Sequence, residues 1–557
     1  MRGAFGDRRE PNATKQSPEI ASSRKSPFGR FALLAMTNNK KWLWWIVLAG
    51  LALRIVAWFY FRSHTLQLVT ARLPDDALYY FTIARNLAHG YGMSFDGIHP
   101  TNGMHPLWLL LITPIFALHL TQWGFIHATL LLQSFLDVVI IWLIGSTVYD
   151  FLPGAQESNR KTAAGAAALI YALSTLVIVR SIDGMETTLA ALFFVLWFRS
   201  YFHATNGHRG TKWTGWTGLG IITGLLLLAR TDSFIVLIPI ALYLIATKWH
   251  GEWRGMILAF LVACAVVSPW LLWNIAHFGT IMQSSGEAVP MLAMRKYDVL
   301  YGSGLGKYWH LCIEALRNVL KPFWYAALGL PLFTIGYAII ARRKKLSSGE
   351  RAIYLLVFGG VLLLLVHSLF RGFIRDWYVE ELVPIFLIGF GVSIGSNAGQ
   401  TEARASGRWA LAALVIVLQL LLYRKPQYVS QAAVLESGVP AVEQLSTHYK
   451  IASFNSGYYG YFARRPGSIV DIDGVVNSDA LAALKAGQLG VYLDRDSVSY
   501  ILDFKGDFGG YINLFDRHLL DTFVLDSVVT NPSDRTDPLL LYRRASISGH
   551  KEVPYPE

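Results

Sequence analysis

Long apolar segments recur from about residue 43 to residue 423, and they constrain the fold more than any other feature of the sequence. Hydrophobic residues make up 53% of the 557 residues and charged residues 15%, whereas soluble domains carry about 25% charged residues. Too few polar side chains remain to cover several water-facing domains, and two cysteines cannot crosslink a chain this long. The sequence therefore predicts a polytopic α-helical membrane protein.

We expect about eleven membrane crossings, the first of them a retained anchor from about Trp42 to Phe61. Segment 105–149 is too long for one helix and too short for three. It therefore predicts one crossing helix and an interfacial or re-entrant helix that begins at His105. The other apolar segments are 162–179, 186–202, 215–229, 234–247, 256–275, 322–341, 352–370, 379–395 and 409–423.

Basic residues orient these crossings. Residues 1–42 are polar and carry nine basic against three acidic residues, which predicts a disordered cytoplasmic tail. The basic loop 342–351 is predicted to lie on the same side. The positive net charge of +12 is thus an orientation signal rather than a sign of nucleic-acid binding. Further weakly basic loops predicted to be cytoplasmic are 203–214, 248–254 and 396–408.

The region after the last apolar segment, residues 424–557, has a different character. Its hydrophobic runs are short, and sixteen acidic residues outnumber thirteen basic ones. We predict a small extracytoplasmic α/β domain that follows a transmembrane domain of residues 43–423, in an integral protein of a bacterial plasma membrane. The predicted strands are Lys450–Phe454, Ser468–Ile472, Ser497–Leu502, Phe523–Val529 and Pro538–Tyr542.

The first predicted external loop, 62–104, holds the most informative residues. Apolar side chains recur at three- and four-residue spacing from Asp76 to His89, which predicts an amphipathic helix after Pro74. Asp75 and Asp76 start this helix, where one of them can cap free backbone N–H groups. Two adjacent carboxylates at a membrane surface also suit catalysis, one held ionised and the other accepting a proton or binding a cation.

Several polar side chains around this pair are candidates for contact with a substrate. His99 and His105 could bind a metal or a phosphate, or could form hydrogen bonds within their own loop. Tyr79, Tyr80 and Asn102 complete the predicted substrate loop.

The acidic pair, the short helix, the turn Gly90-Tyr91-Gly92 and the sequence His105-Pro106-Leu107-Trp108 together resemble the membrane-embedded GT-C glycosyltransferases. The resemblance extends over about 43–235 and is strongest to the branch that contains mycobacterial arabinofuranosyltransferases. Lipid A aminoarabinose transferases and protein O-mannosyltransferases are more distantly similar. The resemblance implies an external-loop aspartate that serves the reaction and a polyprenyl-phosphate sugar as the donor.

A second acidic pair, Asp183 and Glu186, permits two interpretations. Asp183 could be a helix N-cap and Glu186 a first-turn acid. Alternatively, the resemblance implies a second acidic site that faces Asp75 and Asp76, and a divalent metal ion could then bind Asp76 and Glu186. The family motif often separates its two acids by one residue, whereas two residues intervene here.

Three arginines are candidates for binding the donor phosphate. Arg230 could pair with Asp232 at a helix end or hold a phosphate. Arg371 and Arg375 are predicted to lie outside, where the positive-inside tendency disfavours arginine, and a guanidinium matches phosphate geometry. The alternative is interfacial snorkelling with an ion pair to Asp376.

In the C-terminal region, segment 451–477 resembles one found after the membrane domain in the same branch. Its Tyr458, Tyr459 and Tyr461 could stack on sugar rings or pack against the membrane domain.

The predicted function is transfer of a sugar from a polyprenyl-phosphate donor to an extracytoplasmic glycan, lipid or protein, at the surface of the lipid bilayer. Asp75 or Asp76 would act as the base, and the arginines would hold the departing phosphate. The resemblance implies inversion at the anomeric carbon. A lipid-linked glycan flippase or other transporter, and a non-catalytic member of the family, are the alternatives.

Overall fold

The computed structural model describes residues 40–547 apart from 153, 207–211, 303, 326, 343–345, 397–402, 424–429 and 530–536. The tail predicted at 1–42 therefore lies almost wholly outside the described residues. Parts of the basic loops predicted at 203–214, 342–351 and 396–408 also lie outside them.

Helices form nearly all of the described chain before residue 446. A 3₁₀ turn, Thr231–Ser233, precedes one helix, and a π-helical turn, Val434–Gly438, separates the last two. The helices are α1 Leu43–Ser63, α2 Thr65–Ala71, α3 Asp75–Ala88, α4 Pro106–Phe116, α5 Gln122–Phe151, α6 Glu157–Leu173, α7 Thr175–Arg180, α8 Thr187–Asn206, α9 Lys212–Ala229, α10 Phe234–Phe278, α11 Ser284–Tyr301, α12 Leu305–Tyr325, α13 Gly329–Arg342, α14 Ser348–Arg371, α15 Asp376–Glu380, α16 Val383–Ser396, α17 Ala403–Leu422, α18 Ser430–Ala433 and α19 Val439–Leu445.

Within the described residues, five helical segments are long and apolar enough to cross a membrane. A bent pair, Leu305–Trp324 with Gly329–Ala341, makes a sixth if it is one span. The other predicted crossings fall on shorter or less apolar helices, so the number eleven stays a prediction. The five segments are Leu43–Ser63, Gln122–Phe151, Gly251–Phe278, Ser348–Arg371 and Asp376–Ser396.

Two predicted boundaries can be compared directly with the structure. Segment 105–149 divides as predicted into the short helix α4 and the long helix α5. The prediction of a loop at 248–254 is wrong, because helix α10 continues through these residues. That stretch contains no proline and no turn-forming pair, and Gly251 alone does not end a helix.

A buried ion pair joins the first helix to the two helices that pack against it. Arg54 Nε lies 2.6 Å from Asp137 Oδ2, and both side chains are fully buried. Tyr171 donates a hydrogen bond to the other oxygen of Asp137 at 2.6 Å. Arg54 Nη1 also donates to the backbone oxygen of Ala172 at 2.7 Å. Because water is excluded from this ion pair, the positive charge of Arg54 and the negative charge of Asp137 must compensate each other.

The chain after residue 446 forms a five-stranded sheet in the order β2-β1-β3-β5-β4. Each strand overlaps one of the five predicted strands. The strands are β1 Ile451–Ser453, β2 Ile469–Asp471, β3 Tyr500–Phe504, β4 Phe523–Val529 and β5 Leu539–Arg544. The helices among them are α20 Gly457–Phe462, α21 Ser478–Ala486, α22 Leu489–Arg495 and α23 Lys505–Leu514.

Strand direction sets which edge of this sheet domain meets the membrane domain. β1 pairs in parallel with β2 and β3, whereas β5 is antiparallel to both β3 and β4. The three parallel strands therefore end at one edge, which is where ligand and contact loops collect in such sheets. Asp471 ends β2 at this edge and lies 3.5 Å from the hydroxyl of Tyr79 in α3.

Arg54→Met should strongly destabilise the membrane domain, because it leaves Asp137 as a buried charge without its cation. Breaking a buried pair in this way costs about 3–5 kcal/mol. Thermal unfolding in detergent should show a markedly lower midpoint. Arg62→Met is the matched control, since Arg62 is exposed in the last turn of the same helix. Equal midpoints for the two variants would contradict the role of the pair.

Candidate active site

Helix α3 presents the acidic pair. Its N-cap is Pro74, in extended backbone, and Asp75 and Asp76 occupy the first turn. Proline suits a helix start because it has a fixed φ and no N–H group to satisfy. The helix predicted from Asp76 to His89 is confirmed to within one residue, although neither acid caps it.

Asp75 points toward the sheet domain. Its carboxylate accepts hydrogen bonds from the backbone N–H groups of Gly457 and Tyr458, each at 3.0 Å. These residues begin helix α20. Asp75 therefore binds the N-terminus of a helix in the sheet domain rather than that of its own helix. Burial raises the pKa of Asp75 from 3.8 to about 7, while the two N–H donors lower it and Asp76 raises it.

Asp76 is the accessible member of the pair. Its side chain is exposed, and it makes no hydrogen bond or ion pair with the residues that the structure describes. Desolvation by the surrounding protein raises the pKa of Asp76. The positive charges of Arg375 and Arg371 lower this pKa, and the negative charge of Glu186 raises it. A substrate can therefore reach a carboxylate that lies within the field of two arginines.

Arg375 is available to an anion. Its guanidinium is exposed and lies over the rings of Phe373, at 4.6 Å, and Trp377, at 5.5 Å. No carboxylate of the described residues lies within ion-pair distance of it. Arg371 is more constrained, because it donates to the hydroxyl of Tyr378 at 2.7 Å.

Arg230 is enclosed by acids. Its Nη1 lies 3.0 Å from Glu186 Oε1, and its Nε lies 3.0 Å from Asp232 Oδ1. Nε also lies 3.1 Å from Glu381 Oε2, and the arginine is buried. The ion-pair interpretation of Arg230 and Asp232 is confirmed. The geometry does not favour the phosphate-binding alternative, since three carboxylates already surround this guanidinium.

Asp183 belongs to the packing between helices. Its Oδ1 accepts from Gln133 Nε2 at 2.8 Å and from the Met185 N–H at 2.9 Å. Its Oδ2 lies 3.2 Å from Arg180, and the residue is fully buried. Asp183 neither caps helix α8, which starts at Thr187, nor opens toward the acidic pair of α3.

Glu186 is oriented toward the candidate site. It pairs with Arg230 and lies 3.7 Å from Nε2 of His105. Across the described ranges, no three His, Cys, Asp or Glu side chains converge as metal ligands. Glu186 meets Arg230 through Oε1, and a divalent metal ion bound by Asp76 and Glu186 stays a prediction.

The predicted tyrosines and His105 hold neighbouring segments together. Tyr79 donates to Asp471 Oδ2 at 3.5 Å. The hydroxyl of Tyr80 accepts from the backbone N–H of His105 at 3.2 Å. Nδ1 of His105 in turn lies 3.4 Å from the backbone nitrogen of Thr231. These contacts tie α3 to the start of α4 and to the turn that carries Asp232.

Asn102 and His99 stabilise loops. Asn102 accepts from the Ser284 N–H at 3.0 Å and donates to the Met282 oxygen at 3.2 Å. His99 is exposed, and its Nδ1 lies 2.7 Å from Asp96 Oδ2. For His99, hydrogen bonding within its own loop is therefore the interpretation that the structure supports.

The tyrosines of α20 pack between the domains. Tyr458 donates to the Leu73 oxygen at 3.0 Å, and Tyr461 donates to the Gln122 oxygen at 2.6 Å. Tyr459 is buried as well. The packing interpretation is confirmed for this cluster, and none of the three rings is exposed to a sugar.

Sequence reasoning missed Glu381, His367 and Asp473. Glu381 contacts Arg230, and His367 lies 3.0 Å from Asp232. The adjacent acids Glu380 and Glu381 inside an apolar stretch were a usable signal, because charges in such segments are rarely incidental. Asp473 had no comparable signal.

Comparisons with known proteins bear on this architecture. Residues 104–273 match the family described as dolichyl-phosphate-mannose-protein mannosyltransferase. ArnT from Cupriavidus metallidurans, in a crystal structure with bound undecaprenyl phosphate, is similar with a TM-score of 0.53 and 11% identity, over 91% of this chain and 99% of that chain. The chain has a GT-C-like fold.

Two further structures agree with this fold. The oligosaccharyltransferase of Archaeoglobus fulgidus, in complex with Zn and sulfate, is similar with a TM-score of 0.54 and 13% identity, over 90% of this chain and 73% of that chain. AglB of Archaeoglobus fulgidus, in complex with an inhibitory peptide and a dolichol-phosphate, is similar with a TM-score of 0.53 and 11% identity, over 91% of this chain and 74% of that chain. No curated protein matches the sequence.

Docking of the sheet domain should weaken as the pH rises toward neutrality. Because the pKa of Asp75 is about 7 in the docked state against an ordinary 3.8, the docked state binds more protons between these values, and its stability falls as the pH rises through them. Between pH 5 and pH 8, the midpoint of thermal unfolding should fall less in the Asp75→Asn variant than in the wild-type protein. Asp516→Asn, which alters a carboxylate inside the sheet domain, should retain the wild-type decline. Parallel profiles for wild type and Asp75→Asn would contradict this assignment.

Proposed function

We propose that this protein is a glycosyltransferase that moves a sugar from a polyprenyl-phosphate-linked donor to an extracytoplasmic acceptor. The observation that carries the proposal is the position of exposed Asp76 within the field of Arg375 and Arg371. The GT-C-like fold and the family match over 104–273 support the reaction class. Of the two arginines, Arg371 lies 3.8 Å from Asp232 Oδ2, whereas no described carboxylate pairs with Arg375. A carboxylate near such a guanidinium suits an acceptor hydroxyl and a departing phosphate in one step.

The chemistry requires few groups. Asp76 accepts the proton of the acceptor hydroxyl as that oxygen forms a bond to the anomeric carbon. The bond between the anomeric carbon and the phosphate oxygen breaks, and its electron pair leaves with the phosphate. The lipid phosphate is already anionic, so its departure needs positive charge rather than a proton. Attack opposite the leaving group inverts the anomeric carbon, as the family resemblance implies.

The remaining site residues bind the phosphate or hold other side chains in place. Arg375 binds the phosphate, and Arg371 adds charge while Tyr378 holds its guanidinium. Arg230 holds Glu186 in place beside His105. Among the described residues, the acids near Asp76 do not form a converging set of three metal ligands.

The setting of the reaction follows from the charge pattern. The basic tail and the basic loop 342–351 favour a cytoplasmic N-terminus in a bacterial plasma membrane, with α3 and the sheet domain on the outer face. The branch that contains mycobacterial arabinofuranosyltransferases remains the proposed nearest group. A glycan, a lipid or a protein could supply the acceptor hydroxyl.

Asp76→Asn should lower the rate constant for transfer roughly a hundredfold or more, because an amide cannot accept the acceptor proton. The measurement is transfer of radiolabelled sugar from a polyprenyl-phosphate donor by purified protein in lipid nanodiscs. Asp479→Asn is the control, since Asp479 is an exposed carboxylate that pairs with Arg495 on the sheet domain. Full activity of a folded Asp76→Asn protein would rule out Asp76 as the base. Movement of intact lipid-linked donor across the membrane, without transfer, would instead identify a transporter.

Arg375→Gln should raise the KM for the donor about tenfold, since a charged hydrogen bond to phosphate contributes about 1.5–3 kcal/mol. The KM for the acceptor should stay the same. Arg62→Gln removes an exposed arginine outside the site and serves as the control. An unchanged donor KM in Arg375→Gln would exclude Arg375 from the phosphate site.

A further inference from the structure

We propose that Asp75 and Arg85 form a clamp that holds the sheet domain on α3 and so positions residues 471–475 as a wall on the acceptor side of the site. In this role Asp75 is a positioning residue rather than the base. The inference deepens the proposed transfer reaction and rests on it.

The clamp grips helix α20 at both ends. Asp75 accepts from the first two N–H groups of this helix, at Gly457 and Tyr458. Arg85, three turns further along α3, donates to the backbone oxygens of Tyr461 at 2.6 Å and Gly460 at 3.0 Å. Oxygen acceptors at the N-terminus and a guanidinium donor at the C-terminus both satisfy backbone groups that a helix leaves free at its ends.

Close packing leaves the docked domain little freedom. A Cβ atom at Gly457 would lie 2.4 Å from the backbone oxygen of Asp75. A Cβ atom at Gly460 would lie 2.3 Å from a ring carbon of Phe95. Both glycines thus allow the backbone of α20 to touch the membrane domain directly, and any rotation of the helix would separate it from the clamp.

The docked domain lays a loop against the segments that flank the acidic pair. Asp471, which ends β2, accepts from Tyr79 of α3 and from the Gly474 N–H at 3.2 Å. Further along, the Val475 oxygen accepts from the hydroxyl of Ser284 at 2.7 Å. It also lies against Gly103, where a Cβ atom would come within 1.9 Å of it. Residues 471–475 therefore reach from α3 to the loop that precedes α4.

This loop brings a further carboxylate toward the acidic pair. Asp473 is half-buried, and its Oδ1 accepts from the Val475 N–H at 2.7 Å. Burial raises the pKa of Asp473, and the charges of Asp471 and Asp76 raise it further. In the proposed reaction the membrane domain supplies Arg371 and Arg375 for the donor phosphate and lies beside the bilayer that holds the polyprenyl chain. The wall from the sheet domain thus remains for the acceptor.

The geometry of Asp75 separates it from Asp76. Each oxygen of Asp75 already accepts a backbone N–H group, and the side chain is half-buried. Asp76 has no such partner in the part of the chain that is described. Removing Asp75 should therefore loosen the domain, whereas removing Asp76 should stop the chemistry.

The experiment uses the full chain in nanodiscs, with hydrogen–deuterium exchange of residues 457–462 as the direct readout. Asp75→Ala and Arg85→Met should each speed exchange there by roughly tenfold or more, since side-chain hydrogen bonds to the backbone of α20 are lost. Asp75→Asn keeps an acceptor oxygen and should give an intermediate rate. Asp516→Asn is the matched control, because Asp516 also accepts from two backbone N–H groups, at Gly490 and His518, within the sheet domain.

Steady-state kinetics supply the second readout. Asp75→Ala and Arg85→Met should raise the KM for the acceptor by about tenfold, with the donor KM within about twofold of wild type. Unchanged exchange at 457–462 in Asp75→Ala would overturn the clamp. Faster exchange with wild-type acceptor kinetics would overturn the positioning role, and a loss of kcat with normal exchange would make Asp75 catalytic. A wild-type protein that transfers no sugar would refute the proposed function, whereas the exchange result does not depend on activity.

Discussion

Arg230 can be buried because three carboxylates surround it, and the geometry of the candidate site depends on this compensation. An isolated buried charge would cost several kcal/mol, so the guanidinium and its acids must fold together. The carboxylates come from separate parts of the chain: Glu186 before α8, Asp232 in the turn before α10, and Glu381 after α15. One arginine thus fixes the relative positions of three helix ends. Asp232 also lies 3.0 Å from His367, which extends the network into α14.

The same physical rule explains how two neighbouring aspartates acquire different roles. Successive residues of an α-helix point about 100° apart, so Asp75 and Asp76 face different surroundings. Asp75 turns to the backbone of α20, where N–H groups can satisfy it. Asp76 turns to open space within the field of Arg371 and Arg375. The acidic pair thus comprises one anchor and one proposed base, a division that the sequence allowed but did not assign.

Local patterns predicted local structure well. Periodicity placed α3, the length of segment 105–149 predicted its division into two helices, and short apolar runs placed all five strands. Partners across the chain were out of reach, because Asp75 meets Gly457 and Tyr458 more than 380 positions away. Spacing also made Asp183 look equivalent to Glu186, although Gln133 and Arg180 bury the first and Arg230 orients the second. Composition gave the membrane class, but lengths and bends of the shorter helices decide the number of crossings.

Helix α11 shows why the sheet domain and the membrane domain should act as one unit. Its Met291 and Leu292 pack against the hydrophobic core of the sheet domain, and its Ser284 binds the Val475 oxygen. The next helix, α12, exposes a stripe that includes Leu305, Trp309 and Trp324, which suits lipid contact. The sheet domain is therefore held from one side by α3 and from the other by a helix whose neighbour faces the bilayer. Releasing it would expose apolar surface on both domains, so the acceptor wall should be a built-in part of the site rather than a mobile cover.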